Sequence, residues 1–241
     1  TISMSPTDHP SRLPSDSPSS YPTPEPIPFA NSLDLRDAVD AYIQDPTCSS
    51  WPANVYGCPM GTWDVSRVQD MDDLFSAFRN EQMQWFNEDI SKWNVSSVKT
   101  MEWMFSRASS FNANLSLWDV SSVTNMKGMF NNAMQFSADI SNWDVSRVTS
   151  MLGTFQLASS FNGDLSLWDV SAVEDMGNMF YNASLFNADI SRWEVSRVTS
   201  MHGMFQHASS FHGDLSLWDV SAVEDMGWMF YNASLFNADI S

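Results

Sequence analysis

The chain contains few of the residues on which several common functions depend. Its 241 residues include only 11 Lys and Arg against 29 Asp and Glu, which gives a formal net charge of −18. Nucleic acids bind to basic surfaces, so we expect no nucleic-acid partner. No apolar stretch approaches the roughly 18 residues needed for a transmembrane helix, so we also expect no transmembrane segment in this chain.

Groups that carry chemistry are equally scarce. The chain has four His and two Cys, and it contains neither a glycine-rich phosphate loop nor a nucleophile motif. His202, His207 and His212 align with Leu and Asn residues of an earlier copy of the same segment, which favours variable surface positions over metal ligands. We therefore predict that the protein is not an enzyme and has no cofactor, with Ca²⁺ as the single alternative.

An internal repeat of 25 residues runs through most of the chain. Each copy contains a tetrapeptide of Trp, Asx or Glu, Val and Ser, as in Trp143-Asp144-Val145-Ser146. A period in this range is typical of solenoids, in which each unit is too small to bury its own apolar face and stacks on its neighbours. The repeated tryptophans are Trp93, Trp118, Trp143, Trp168, Trp193 and Trp218.

Two apolar periods follow one another within each copy. Trp168 and Val170 alternate with polar residues, which is the spacing of a strand with one buried face. Residues 176–183 then place Met, Met, Phe and Ala at i, i+3, i+4 and i+7, the spacing of a short helix. We therefore predict an α/β solenoid whose coils each contain one short parallel strand and one short helix, with the Trp, Met and Phe side chains in the core. A parallel β-helix is the alternative fold.

The repeat also resembles a known family. Ile140-x-x-Trp143-x-Val145-x-x-Val148 has the spacing of the leucine-rich-repeat consensus, with Trp in a Leu position. The longer pattern Trp-Asp-Val-Ser-x-Val-x-x-Met-x-x-Met-Phe-x-x-Ala-x-x-Phe-Asn-x-Asp-Ile-Ser resembles the repeat of BspA-like surface proteins, also known as a Mycoplasma-type repeat of unknown function. The sequence Tyr-Gly-Cys-Pro-Met-Gly of residues 56–61, followed by Leu-Phe-Ser-Ala-Phe-Arg-Asn at residues 74–80, resembles the versions found in diatoms and related algae. The resemblance implies a secreted or surface-displayed binding protein.

Composition predicts three segments. Residues 1–30 contain most of the prolines and are also rich in Ser and Thr, so we expect this segment to be a stalk or linker. Residues 31–62 form an N-terminal cap, and residues 63–241 form the solenoid, without a C-terminal cap. Because the chain stops at Ser241, just before another Trp would fall due, we expect a processed or partial product.

The cap is predicted to combine a helix with a cysteine pair. Residues 33–43 have helical spacing, with Asn31 or Ser32 as the N-cap. Cys48 and Cys58 are the only cysteines. We expect them to form a disulfide, and free core thiols are the alternative. A disulfide favours an oxidising compartment, and hence an extracellular or cell-surface protein.

The first coil is longer than the others. Trp63 precedes Trp93 by thirty residues, because residues 78–85 lengthen this coil. Insertions in repeat arrays emerge as loops, often on a binding face. The added segment is therefore either a binding loop or a loop that covers the end of the array.

Acidic residues recur at two positions of the coil and form two files, in which Asn94 and Asn114 are the neutral exceptions. The first acidic file follows each Trp and should point outward from the predicted strand. With the neighbouring serines it forms the predicted binding face: Asp64, Asp119, Ser121, Asp144, Ser146, Asp169, Ser171, Glu194 and Asp219. The second acidic file lies four residues before each Trp. Its candidate Ca²⁺ ligands are Asp139, Asp164, Asp189 and Asp214.

Two interpretations of these files stay open. Parallel strands lie about 4.8 Å apart, so stacked carboxylates repel by about 1 kcal/mol per pair in water. Structurally, one file can accept hydrogen bonds from turn amides while the other is solvated. Functionally, carboxylates of adjacent coils can bind Ca²⁺ or a cationic partner. Arg67, Arg147 and Arg197 follow the strand acids in only some coils, so pairing with them is partial.

Two functions follow from these patterns. The first is a secreted or cell-surface protein that binds glycans or proteins through the acidic strand face. The second is a structural protein that assembles with copies of itself, which suits the near-identity of residues 151–191 and 201–241. Four Asn-x-Ser sequons are glycosylation candidates, and they begin at Asn94, Asn114, Asn182 and Asn232.

Overall fold

The computed structural model describes residues 27–49 and 51–237. The predicted stalk falls almost entirely on residues 1–26, outside the described residues. Within the described part, the buried apolar side chains form one hydrophobic core that runs from Phe29 to Met229. The repeated coils are therefore parts of a single packed body.

The predicted N-terminal helix is confirmed. Helix α1, Ser32–Gln44, begins after Asn31, whose side-chain oxygen accepts a hydrogen bond from the Asp34 N–H at 2.9 Å. This bond satisfies one of the free amides of the first turn. One face of α1 is buried, and its Tyr42 ring meets the ring of Trp63 edge-on, with centroids 5.8 Å apart. The helix thus covers the first coil.

Three short helices follow α1. They are α2, Ala53–Tyr56, and two 3₁₀ helices, Met60–Thr62 and Glu81–Trp85. The second 3₁₀ helix lies in the added segment of the first coil. The predicted disulfide is confirmed, because Cys48 and Cys58 are bonded with their Cα atoms 6.1 Å apart. It joins the loop after α1 to the loop before the first 3₁₀ helix.

The predicted α/β solenoid is wrong. In residues 27–49 and 51–237, the only helices are the four just given, and the repeated coils contain neither a strand nor an α-helix. Successive coils meet instead through isolated parallel bridges. The bridged pairs are Asp70 with Thr100, Thr100 with Asn125, Asn125 with Ser150, Ser150 with Asp175, Asp175 with Ser200, and Ser200 with Asp225.

Tight turns replace the predicted strand. The Trp168 N–H donates to the Leu165 carbonyl at 3.1 Å, and the Val173 N–H donates to the Val170 carbonyl at 2.9 Å. The backbone therefore turns before and after the Trp-Asp-Val segment, which leaves no extended ladder. Side chains in this segment still alternate between the core and the surface as predicted, because Trp168 and Val170 are buried while Asp169 is exposed.

Successive turns also replace the predicted short helix. The Ala158 N–H donates to the Phe155 carbonyl at 3.1 Å, within the same turn. The Phe155 N–H donates instead to the backbone carbonyl of Met179, in the next coil, at 2.9 Å. Gly153 and Leu157 take left-handed φ values of 61° and 62°, which an α-helix does not contain. The apolar stripe therefore keeps helical spacing, while alternate amides bond to the neighbouring coil.

Stacked aromatic rings fill the core. Phe155 and Phe161 of one coil stack with centroids 4.0 Å apart, and Phe155 stacks on Phe180 of the next coil at 5.7 Å. The Trp side chains of the repeats lie in the same core, and Trp143 stacks on Trp168 at 6.4 Å. The core placement of the Trp, Met and Phe positions is confirmed as far as Trp218, whereas in the last coil Met226 is 38% exposed and Phe230 is only partly buried. This packing holds the intervening polar residues on the surface.

Candidate functional site

The first acidic file lies on the surface, in turns that fix its carboxylates. Asp144 is exposed between the buried side chains of Trp143 and Val145. Its Oδ1 accepts the Ser146 N–H at 3.1 Å and the Ser146 hydroxyl at 2.7 Å. An Asp that bonds the amide two residues later forms an Asx turn, which orients the side chain. The turn uses only one of the two carboxylate oxygens.

The same turn recurs along the whole file. Each acid accepts the N–H of the serine two residues later at 3.0–3.1 Å. Asn94 makes the corresponding bond to Ser96 at 3.2 Å, so the turn needs a side-chain oxygen but no charge. The predicted face residues in these turns are Asp64, Asp119, Ser121, Asp144, Ser146, Asp169, Ser171, Glu194 and Asp219.

The second acidic file forms equivalent turns. The Asp139 Oδ1 accepts the Ser141 N–H at 3.0 Å and its hydroxyl at 2.7 Å. The interpretation that only one file bonds turn amides is wrong, because both files do so. The members with this bond are Asp89, Asp139, Asp164, Asp189 and Asp214. Asp239, the next in register, lies outside the described residues.

The turn bonds lower the pKa of carboxylates in both files. Hydrogen bonds from the Ser146 hydroxyl and N–H lower the pKa of Asp144. In the second file, the bonds from Ser166 lower the pKa of Asp164, although the charges of Asp139 and Asp189 raise it. At Asp144 and Asp164 the turn bonds therefore favour the charged carboxylate and offset part of the repulsion between neighbouring coils.

The geometry gives the calcium prediction no support. Among residues 27–49 and 51–237, no three His, Cys, Asp or Glu side chains gather closely enough to hold a metal ion. Each predicted ligand instead accepts a hydrogen bond from the N–H of a serine two residues later in its own coil. The four ligands are Asp139, Asp164, Asp189 and Asp214. A Ca²⁺ site normally takes six to eight oxygen ligands, so one carboxylate per coil is far from sufficient.

Arg197 does not pair with the acid that precedes it in sequence. Its Nη2 lies 2.8 Å from Glu174 Oε1, which belongs to the previous coil and to neither acidic file. Because both side chains are more than half exposed, this ion pair adds little stability. The expected pairing of Arg197 with the first acidic file is therefore wrong.

Sequence reasoning missed a polar ladder that links the coils. The Asn162 side-chain oxygen accepts the Asn187 N–H at 2.7 Å, and the Asn187 side chain accepts the His212 N–H at 2.9 Å. Each bond spans 25 residues, so it crosses from one coil to the next. The signal in the sequence is the Phe-Asn dipeptide at the repeat interval. These Asn residues position neighbouring coils.

A cleft of about 410 Å³ lies between α1 and the added segment of the first coil. Its lining combines aromatic, apolar, amide and carboxylate side chains. They are Tyr42, Ile43, Pro46, Gln82, Trp85, Phe86, Asn87 and Glu88. Since no other coil has the added segment, this cleft is a feature of the first coil alone.

The family can now be assigned. The family described as "Mycoplasma protein of unknown function, DUF285" matches residues 52–168 and 149–241. The chain belongs to this family. Comparison with curated proteins gives no match. The two matches cover the stacked coils together with the part of the cap that follows residue 51.

The four sequons of this DUF285 protein occupy two kinds of site. Asn94 and Asn114 use their side-chain oxygens in the serine turns of the two files. Asn182 and Asn232 are exposed and take left-handed φ values of 53° and 58°. No helix among the described residues has the length and apolar character to cross a membrane.

Proposed function

We propose that this DUF285 protein is a secreted or cell-surface recognition protein of the BspA-like kind, which binds glycans or proteins through the first acidic file. The observation that carries the proposal is the repeated serine turn, which fixes a carboxylate on the exposed surface of successive coils at Asp119, Asp144 and Asp169. A partner with a repeating structure can meet several of these groups at once.

Rigidity favours binding at such a face. Side chains already held in one orientation lose little conformational entropy when a partner binds. Asp119, Asp144 and Asp169 each have this property, because the turn bonds fix Oδ1 while the residue stays exposed. The formal charge of −18 also attracts cationic partners and speeds their encounter with the surface. We therefore infer that the partner presents amino groups or other cations.

The cap supports an extracellular location. The Cys48–Cys58 disulfide is of a kind that persists in oxidising compartments and is rare in the cytosol. The Pro, Ser and Thr content of residues 1–26 suits a stalk that carries the coils away from a surface. Both features favour secretion or surface display.

The test separates the acidic file from net charge. A triple variant, Asp119→Asn, Asp144→Asn and Asp169→Asn, removes three charges but keeps the turn, as Asn94 does in the native chain. The matched control, Asp37→Asn, Glu81→Gln and Glu224→Gln, removes three charges from exposed positions outside both files. Chitosan oligomers serve as the cationic glycan probe, and lysozyme serves as the cationic protein probe.

We expect the triple variant to bind one of the two probes about tenfold more weakly than the native protein, because three favourable charge contacts are lost. The charge-matched control should retain most of the affinity. An equal loss in both variants would show that only net charge matters, and it would contradict recognition by the file. Absence of binding to either probe would contradict it as well.

A second candidate function is self-assembly into an extracellular structural layer. Leu117, Leu167 and Leu217 are 73–80% exposed and recur at every second coil, so they form a regular apolar row. Exposed apolar rows of this kind can mark protein–protein contacts. Asn142 occupies the same position in an intervening coil. Light scattering of the native protein and of Leu117→Asn, Leu167→Asn, Leu217→Asn would reveal assembly as a mass that rises with concentration only in the native protein.

A further inference from the structure

The cleft of the first coil brings together groups that the repeat does not supply elsewhere. Its floor is formed by the buried rings of Tyr42 and Phe86, and its rim by exposed side chains. The volume of about 410 Å³ falls within the range of roughly 300–1,000 Å³ that small-molecule sites occupy. Convergent, dissimilar groups around a concave space are the usual features of such sites.

Trp85 is the most unusual member of the cleft. Its side chain is 72% exposed, whereas Trp63 and Trp93 on either side of the added segment are 3% exposed. The added segment already contributes Met83 to the core, and Phe86 directly after it is buried as well, so Trp85 is not needed to fill the core. An exposed indole at the rim of a cleft offers a flat apolar surface to a ligand.

Hydrogen-bonding groups surround this indole. Gln82 and Asn87 supply amides, and Glu88 supplies a carboxylate. Burial raises the pKa of the Tyr42 hydroxyl, and the charge of Glu88, which lines the same cleft, raises it further. The rim can therefore both donate and accept hydrogen bonds around the flat face of the ring.

The two walls of the cleft are tied to each other. Arg79, at the start of the added segment, forms an ion pair with Asp40 of α1, and the Asn80 side chain donates to Asp40 at 3.1 Å. The Asn80 side-chain oxygen also accepts the Gln82 N–H at 3.1 Å, which caps the 3₁₀ helix that carries Trp85. These contacts hold the helix against α1, so the cleft is formed before a ligand arrives.

We propose that this cleft binds a neutral saccharide, with one sugar ring stacked on Trp85. The C–H face of a pyranose ring is apolar and packs on an indole, while its hydroxyls donate to the Glu88 carboxylate and exchange hydrogen bonds with the Gln82 and Asn87 amides. Anionic ligands are disfavoured by Glu88 and by the formal charge of −18. The site is separate from the first acidic file and does not depend on it.

The experiment measures binding of defined oligosaccharides to the full chain by calorimetry. The probes are cellohexaose, laminarihexaose and mannohexaose at millimolar concentration, together with a peptide rich in Lys. Trp85→Ala removes the stacking surface, and Trp85→Phe keeps a smaller ring. Trp228→Ala is the matched control, because Trp228 is 60% exposed and lies far from the cleft in sequence. Thermal unfolding of each variant monitors the fold.

We expect at least one oligosaccharide to bind, and Trp85→Ala to weaken its binding by about tenfold through loss of ring contact. Trp85→Phe should lose less, and Trp228→Ala should match the native protein. The variant with Asn at 119, 144 and 169 should bind the sugar normally, which separates this site from the proposed acidic face. The saccharide assignment is overturned if no oligosaccharide binds, if only the peptide binds, or if Trp228→Ala loses as much affinity as Trp85→Ala.

Discussion

The indole N–H of Trp168 donates a hydrogen bond of 3.1 Å to the carbonyl oxygen of Ile140, 28 residues earlier in the chain. The same bond recurs from coil to coil, for example from Trp193 to Leu165 at 3.0 Å. A buried Trp needs a partner for its N–H, and from Trp118 to Trp218 that partner is a backbone carbonyl of the previous coil. The repeated Trp therefore joins neighbouring coils by both packing and a hydrogen bond.

Replacement of Trp168 separates these two contributions. We expect Trp168→Ala to lower the free energy of unfolding by about 3–5 kcal/mol, because it leaves a large cavity. Trp168→Phe keeps much of the ring volume but leaves the Ile140 carbonyl without its donor, so it should cost less than Trp168→Ala. Urea unfolding followed by circular dichroism measures both. An exposed-site control, Trp228→Ala, should change little, and an equally small effect of Trp168→Ala would contradict the core role.

Replacement of Asp144 tests whether the turn needs a charge. Asp144→Asn should leave the stability nearly unchanged, because Asn94 makes the same turn in the native chain. Asp144→Ala removes the acceptor of the Ser146 N–H and should cost about 0.5–1.5 kcal/mol, the usual contribution of a hydrogen bond. Chemical unfolding of the two variants in one buffer compares them. If Asn and Ala were equally destabilising, charge rather than the turn bond would be the important property.

The two acidic files also predict how stability depends on pH. Turn bonds lower the folded-state pKa of Asp139, Asp144, Asp164 and Asp189 below their ordinary value. The unfolded chain then binds protons more readily than the folded chain. The stabilisation is therefore fully present above the unfolded pKa of about 3.9 and is lost as the pH falls through the lower folded values.

Thermal melts between neutral and acidic pH measure this dependence. We expect a nearly constant melting temperature at pH values well above the unfolded pKa and a steep fall as the files become protonated. Asp139→Asn, Asp164→Asn and Asp189→Asn together should reduce the steepness, since Asn does not titrate. Asp72 acts in the opposite direction, because burial raises its pKa. A variant as acid-sensitive as the native protein would contradict the role of the files.

The sequence specified which side chains are buried much better than it specified the backbone. Trp168, Val170 and Phe180 lie in the core as their spacing predicted. The same spacing arises from an α-helix or from successive turns, so it could not distinguish between them. The hydrogen-bond partners of alternate backbone N–H groups determine whether the segment is an α-helix or a series of turns. The Phe155 N–H reaches the next coil instead of the preceding turn, and only the stacked structure shows this.

The candidate sites were predictable to different degrees. The repeat placed Asp144 on the surface, because it lies between Trp143 and Val145, two positions that the strand period assigns to the core. Its turn bonds to serine follow from local Asx chemistry, and the sequence contains both partners. The cleft beside Trp85 was not predictable, because its walls come from α1 and an inserted segment about 40 residues apart. Its link through Arg79 and Asp40 is tertiary.

The final prediction concerns a close fit between adjacent coils, where Trp103 lies over Gly128. A Cβ atom added to Gly128 would lie 2.0 Å from the Trp103 ring, so the ring would have to move. Gly128 also has a φ of 59°, but Trp103 and Asn178 adopt similar values at the same position of their own coils. The contact, more than the backbone conformation, should therefore determine the cost of a substitution.

Gly128→Ala should lower the free energy of unfolding by about 1–3 kcal/mol, the usual cost of overpacking. Gly177→Ala is the milder control, since its added Cβ would lie 3.0 Å from the flexible end of Leu152. Trp103→Ala in the Gly128→Ala background should recover part of the loss, because it removes the ring that the methyl group displaces. Urea unfolding of the single and double variants gives this coupling. Purely additive effects would show that backbone strain at Gly128, and not the fit against Trp103, explains why glycine occupies this position.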